Sequence, residues 1–228
     1  MSQNAKAAAV RVRVWDLPTR LFHWLLAAAV LCCIVSAKTG AMVWHFRFGL
    51  LVLALLVFRL VWGFLGGRWS RFGSFLFAPA KMVRYLRSTP GERAAFEVGH
   101  NPLGALSVFA LLAILLAQVA TGLVADDEIS NVGPLNRFVE MATASSATSW
   151  HNTWGQWIIL GLAGLHIAVV FFYLGVKRLN LIGPMWAGDK LLPPGTPGSE
   201  DSPRQRLVAA VLAAVALAAV VWIARLGG

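Results

Sequence analysis

Five blocks of apolar residues dominate this chain, at residues 20–38, 45–66, 102–126, 150–176 and 206–224. Each is about twenty residues long, the length a helix needs to cross a bilayer. In lipid every backbone N–H and C=O must be paired within the protein, so such blocks can only cross as helices. Of the 228 residues, 58% are hydrophobic and 13% are charged, whereas about a quarter of an average soluble domain is charged. The expected fold is an all-α integral membrane protein with five transmembrane helices and no room for a separate soluble domain.

Charge sets the expected orientation. The formal net charge is +10. Basic residues collect before the first block (Lys6, Arg11, Arg13, Arg20), in residues 67–99 (Arg68, Arg71, Lys81, Arg84, Arg87, Arg93) and in residues 177–206 (Lys177, Arg178, Lys190, Arg204, Arg206). The other connections are poor in basic residues, and one carries Asp126-Asp127-Glu128. Lysine and arginine gather on the cytoplasmic side of membrane helices. The amino terminus is therefore expected inside and, after five crossings, the carboxyl terminus outside. Nucleic-acid binding would need basic and aromatic residues interleaved on a water-facing surface. No such segment is present, and that role is excluded.

Local signals divide the chain further. Gly99-His100-Asn101-Pro102 opens the third block, with Asn101 as N-cap and Pro102 at the first helical position. Residues 67–99 hold Pro79, Lys81-Met82-Val83-Arg84-Tyr85-Leu86-Arg87 and Pro90-Gly91, the makings of a short amphipathic helix on the inner membrane surface. Leu191-Leu192-Pro193-Pro194-Gly195-Thr196-Pro197-Gly198 is rich in helix breakers. The expected layout is a core of four helices in residues 1–190, a linker at 191–205 and an appended fifth helix at 206–228. Val35-Ser36-Ala37 has the small-residue pattern of a leader cleavage site, but the long span that opens with WDLPTRLFHW reads as a retained helix.

All five histidines, His23, His45, His100, His151 and His166, lie in or at the ends of these spans. Ionisable residues inside a membrane are costly and usually face a bundle interior, a cavity or a cofactor. Chain direction gives their depths. His23 lies towards the inner side of the first helix, and His45 and His151 open the second and fourth near the outer side. His166 follows His151 by fifteen residues, about 22 Å at 1.5 Å per residue, which carries it back towards the inner side. Two layers result, His45 with His151 and His23 with His166.

Facing neutral imidazoles can supply both axial ligands of a b-type haem. Zinc would want a tight tetrahedral cluster, which two layers do not provide. Gly49 and Gly155 each follow a histidine by one turn and offer clearance for a flat macrocycle, although Gly104 follows His100 in the same way. Arg59 lies fourteen residues after His45, nearly a whole number of turns. It can meet an inner haem and pair with a propionate, or snorkel to the inner headgroups. Cys32 and Cys33 read as small packing residues, and no C-x-x-C-H is present for covalent haem attachment.

Several motifs together resemble the bacterial cytochrome b561 family, which is itself similar to the cytochrome b subunits of membrane-bound nickel-iron hydrogenases. They are WDLPTRLFHW at 15–24, Trp44-His45 with Arg59-Leu60-Val61-Trp62-Gly63, Gly99-His100-Asn101-Pro102-Leu103-Gly104, the paired histidines of the fourth span and the 180–190 segment NLIGPMWAGDK. The resemblance covers about residues 11–190. It implies a four-helix core in a bacterial inner membrane holding two non-covalent b-type haems. His23 and His166 would be the axial ligands of one haem, His45 and His151 those of the other, and His100 a reserve ligand or a capping, proton-handling or quinone-side residue.

The resemblance also implies electron transfer between the quinone pool and a periplasmic redox partner such as a c-type cytochrome, rather than a stand-alone enzyme. Residues around Arg20, Trp24 and Arg59 are candidates for the quinone side, and Asp126-Asp127-Glu128 for steering a basic partner. Two departures from the family pattern stand out. The helix-four histidines are one residue further apart than is usual, which turns the second ligand by about 100° unless a π-bulge or tilt absorbs it. The fifth helix is the other. Competing readings are an oxidoreductase acting on a small molecule such as superoxide, a hydrogenase membrane subunit, and a haem-free structural anchor.

Overall fold

The structure is a computed structural model in which residues 9–89 and 98–227 are described. Lys6, Arg93 and the Pro90-Gly91 pair lie outside the described residues. Five helices are long and apolar enough to cross a membrane: α1 (Leu17–Lys38), α2 (Met42–Leu65), α4 (Pro102–Val124), α5 (Met141–Gly175) and α7 (Pro203–Arg225). Short helices lie between them, among them α3 (Pro79–Arg87) and α6 (Ile182–Ala187). The chain is a multi-pass membrane protein.

Four of the five spans start and stop within a few residues of the sequence expectation, and α5 stops where expected but starts earlier. It begins at Met141, so His151 lies ten residues inside a continuous helix and not at its start. Its first ten residues, MATASSATSW, are too polar to register as membrane-spanning, yet serine, threonine and alanine continue a helix once it is anchored. The amphipathic segment is present as α3, where Tyr85 is buried between basic residues that face outward. Asn101 caps α4 as expected, its Oδ1 accepting the Gly104 N–H at 2.8 Å.

The chain separates into two compact units. The first comprises Met1–Arg20, Trp62–Leu106 and Val170–Ala209, and the second Leu21–Val61, Ser107–Val169 and Ala210–Gly228. In the first unit an antiparallel sheet pairs β1 (Val10–Arg13) with β2 (Asp189–Leu192), Val10 opposite Leu192 and Arg13 opposite Asp189. An all-helical expectation missed this ribbon. Gly188, just before β2, has φ +94°, and its carbonyl accepts the N–H groups of Val14 and Trp15 at 2.8 and 3.0 Å. A Cβ there would lie 2.6 Å from an Arg13 guanidinium nitrogen, so both the turn and the close approach require glycine.

The 191–205 segment is not a free tether. Ser199 donates through Oγ to the Val14 carbonyl at 2.7 Å and accepts the Trp69 N–H at 3.1 Å. Asp201 accepts from Leu17 N–H and ion-pairs with Arg13 and Arg206. Burial pushes the Asp201 pKa up, but the Arg206 hydrogen bond, the Leu17 N–H and the charges of Arg206 and Arg13 outweigh it, and the net shift is downward. A carboxyl with a lowered folded pKa stabilises fully above its unfolded value, about 3.9, and loses that contribution as pH falls through the folded value. Asp201→Asn is therefore expected to lower the unfolding temperature in detergent at neutral pH. The gap from wild type should close as the pH is taken below about 4; a gap that persisted there would mean the carboxylate charge is not its source.

The first unit buries Val14, Asp16, Trp62, Ser70 and Phe75 almost completely. Asp16 is the N-cap of α1, its Oδ1 accepting Thr19 N–H at 2.8 Å. The same carboxylate also accepts from Trp62 Nε1, Gly67 N and Ser70 Oγ. The second unit buries Leu56, Val52, Ala29, Phe58, Ile159 and Val220, and it holds all four histidines assigned to the two layers.

Candidate functional site

The four histidines meet as two pairs. His45 of α2 and His151 of α5 have ring centroids 6.0 Å apart with planes at 89°. His23 of α1 and His166 of α5 have centroids 6.4 Å apart with planes at 54°. Imidazole nitrogen binds a first-row metal at about 2.0 Å, so two imidazoles on opposite sides of one metal have nitrogens about 4 Å apart and centroids a little over 6 Å apart. Both separations leave room for a metal ion between the rings, and imidazole pairs of this kind would hold the iron of a b-type haem. Among the described residues no three histidine, cysteine or carboxylate side chains converge on a metal-sized site, so the donor set is not that of zinc.

Backbone carbonyls set the tautomer of one pair. His45 Nδ1 lies 3.0 Å from the Cys33 carbonyl, and His151 Nδ1 lies 2.9 Å from the Gln118 carbonyl. A carbonyl only accepts, so each Nδ1 is the donor, which leaves Nε2 as the nitrogen that would bind a metal. Thr121 Oγ1 adds a contact at 3.3 Å to His151 Nδ1. In the other pair His23 Nδ1 is buried with no hydrogen-bond partner among the described residues.

The extra residue between His151 and His166 has a structural counterpart. Residues His151–Gly155 form a π turn within α5. A π turn inserts one residue without advancing the helix face by a full step, which brings His166 back onto the side it would occupy with the shorter spacing. Gln118 of α4 supports the turn by donating from Nε2 to the His151 carbonyl at 3.0 Å. A Cβ on Gly155 would overlap the Gln118 side chain, and one on Gly122 would come within 2.8 Å of the His151 ring. Gly155 thus admits a neighbouring side chain and does not leave an open space, whereas a Cβ on Gly49 would meet nothing within 4 Å.

Arg59 is buried at 3% exposure, with its guanidinium carbon 6.0 Å from the centre of the Phe22 ring. It does not snorkel. Its guanidinium thus lies beside the ring of the residue that precedes His23. His100 belongs to the other unit, where its ring lies between those of Trp15 and Phe75, at centroid distances of 4.7 and 4.6 Å. Arg20 donates to the Trp186 carbonyl. The acidic loop is shaped by its own side chains: Asp127 is held well below the ordinary carboxylate range by the Asn131 side chain and the N–H groups of Asn131 and Ser130. Asp126 is tied to α5 through the Thr148 hydroxyl.

Sequence reasoning missed the α4 contribution to His151. Its signal was present, since Gln118 and Thr121 are polar residues three apart inside an otherwise apolar span, and such residues usually serve a partner. The Cys33 carbonyl left no such trace.

Membrane-crossing helices that present facing imidazole pairs are the build of a transmembrane b-type cytochrome. The comparisons with known proteins agree: the chain belongs to the prokaryotic cytochrome b561 family, which it matches over residues 14–188. It is accordingly a b-type haem electron-transfer protein of the membrane.

Similar curated proteins include the probable Ni/Fe-hydrogenase 1 B-type cytochrome subunit of Escherichia coli (strain K12), 24% identical over 64% of this chain and 76% of that protein. The probable Ni/Fe-hydrogenase B-type cytochrome subunit of Rhizobium leguminosarum bv. viciae is 23% identical over 79% of this chain and 89% of its own. That of Bradyrhizobium diazoefficiens is 20% identical over 78% and 85%. No solved structure matches the chain significantly.

Proposed function

We propose that the protein carries electrons across a bacterial inner membrane, between the quinone pool and a periplasmic redox protein such as a c-type cytochrome. In this reading His23 and His166 hold one b-type haem, His45 and His151 hold a second, and Arg59 pairs with a propionate carboxylate. The amino terminus is cytoplasmic and the carboxyl terminus periplasmic. The observation that carries the proposal is the separation of both histidine pairs, 6.0 and 6.4 Å between ring centroids, which suits two imidazoles sharing one metal. Haem b supplies a reversible one-electron iron couple.

The chain's own groups do the rest. The Cys33 and Gln118 carbonyls hold two imidazoles as Nδ1–H tautomers and raise their basicity as ligands. The buried Arg59 offsets negative charge in a medium where charge is costly. Haem quantitation on the purified protein, with reduction by a quinol and reoxidation by a basic c-type cytochrome, tests the proposal. Two b haems per chain are expected, and His100→Ala should retain both because its ring is packed between Trp15 and Phe75. A single haem, a colourless protein, or loss of haem on replacing His100 would overturn the assignment.

A second reading draws on the relatives described above, each of them named as a probable Ni/Fe-hydrogenase B-type cytochrome subunit. Here the external redox partner is a nickel-iron hydrogenase, and the ligand set is unchanged. Which proteins co-purify with the tagged chain in mild detergent separates the two.

A further inference from the structure

A groove of about 360 Å³ lies in the second unit between α2 and α7, lined by Arg47, Leu50, Leu51, Leu217, Val221 and Arg225 among others. Its polar and apolar parts are segregated along the helices. Arg47 is near the start of α2 and Arg225 is the last residue of α7. Leu50 and Leu51 follow Arg47 by about one turn, and Val221 and Leu217 precede Arg225 by one and two turns. The groove therefore carries two guanidiniums at the helix ends, the level of lipid headgroups, and apolar side chains further in. No carboxylate lines it. Among the described residues the ion pairs belong to Arg13 and Arg206, so neither groove arginine is committed to an acidic side chain.

We propose that this groove binds an anionic phospholipid, with Arg47 and Arg225 on the headgroup phosphate and an acyl chain along Leu50, Leu51, Leu217 and Val221. Guanidinium binds phosphate through paired, charge-assisted hydrogen bonds, and basic pockets between membrane helices are suited to acidic headgroups. A quinone matches the apolar wall but brings no charge for two arginines. The site also gives α7 a task, because one wall of the groove is the fifth helix itself.

Native mass spectrometry of the full haem-loaded chain, titrated with phosphatidylglycerol and with phosphatidylcholine, tests this. Wild type should retain one phosphatidylglycerol in preference to phosphatidylcholine. The Arg47→Gln/Arg225→Gln double variant should bind phosphatidylglycerol roughly tenfold more weakly, with phosphatidylcholine unchanged. Leu217→Trp, which keeps both charges but fills the apolar part, should also lose the adduct. Equal retention of the two lipids by wild type, undiminished phosphatidylglycerol on either variant, or loss of a co-purifying quinone in place of the lipid would overturn the proposal. The readout is a lipid mass, so it stands apart from the haem assignments.

Discussion

Replacing His45 with alanine is expected to leave one haem per chain in place of two, with the reduced α band falling to about half. The physical reason is local. His45 would offer its Nε2 because its Nδ1–H donates to the Cys33 carbonyl, and alanine offers neither a ligand nor anything to fill the gap facing His151, whose ring centroid is 6.0 Å away. The second pair serves as an internal standard. His166 is fifteen residues further along α5, about 22 Å at the usual rise, and its partner His23 is on a different helix from His45. Free imidazole added to the variant should restore the missing band if only a ligand was removed. A variant that keeps both haems, or loses both and regains neither with imidazole, would sink the pairing.

Much of this arrangement could be read in the chain, because the quantities involved are local or additive. Span length follows from counting apolar residues, and histidine depth follows from rise per residue. Even the π turn was visible as a consequence, since the one extra residue between His151 and His166 turns the second ring by about 100° from its place at the usual spacing unless a bulge or tilt absorbs it. What could not be read depends on distant partners. Val10–Arg13 alternates like a strand, but its pairing partner Asp189–Leu192 shows no alternation and lies more than 170 residues away. Gly49 and Gly155 share the same spacing from a histidine, yet one faces open space and the other the Gln118 side chain, a difference made by α4 alone. The first turns of α5 were lost for another reason: hydropathy detects lipid exposure, and a Ser/Thr-rich helix continuing out of an apolar one carries no such signal.

Asp16 gives the second large effect, and its role was the least visible in sequence. Its carboxylate is fully buried and accepts four hydrogen bonds. Oδ1 takes Thr19 N–H at 2.8 Å and Trp62 Nε1–H at 3.1 Å, while Oδ2 takes Gly67 N–H at 3.1 Å and the Ser70 hydroxyl. The Trp62, Gly67 and Ser70 donors come from 46 to 54 residues along the chain, so one side chain both caps α1 and ties it to the end of α2 and the turn beyond. Asp16→Ala removes the acceptor from these donors in a buried site, each costing about 1–3 kcal/mol if it finds no substitute. Allowing for partial rearrangement, the expected loss is about 3–5 kcal/mol, read as a large drop in the unfolding temperature in detergent. Asp16→Asn discriminates the cause. Its single oxygen can keep the Thr19 and Trp62 bonds, and the Ser70 hydroxyl can turn to accept, but its NH₂ must then face the Gly67 N–H. Asn should therefore fall between Ala and wild type. If Asn were as stable as Asp, the cap and the Trp62 bond would suffice and the Gly67 contact would carry nothing.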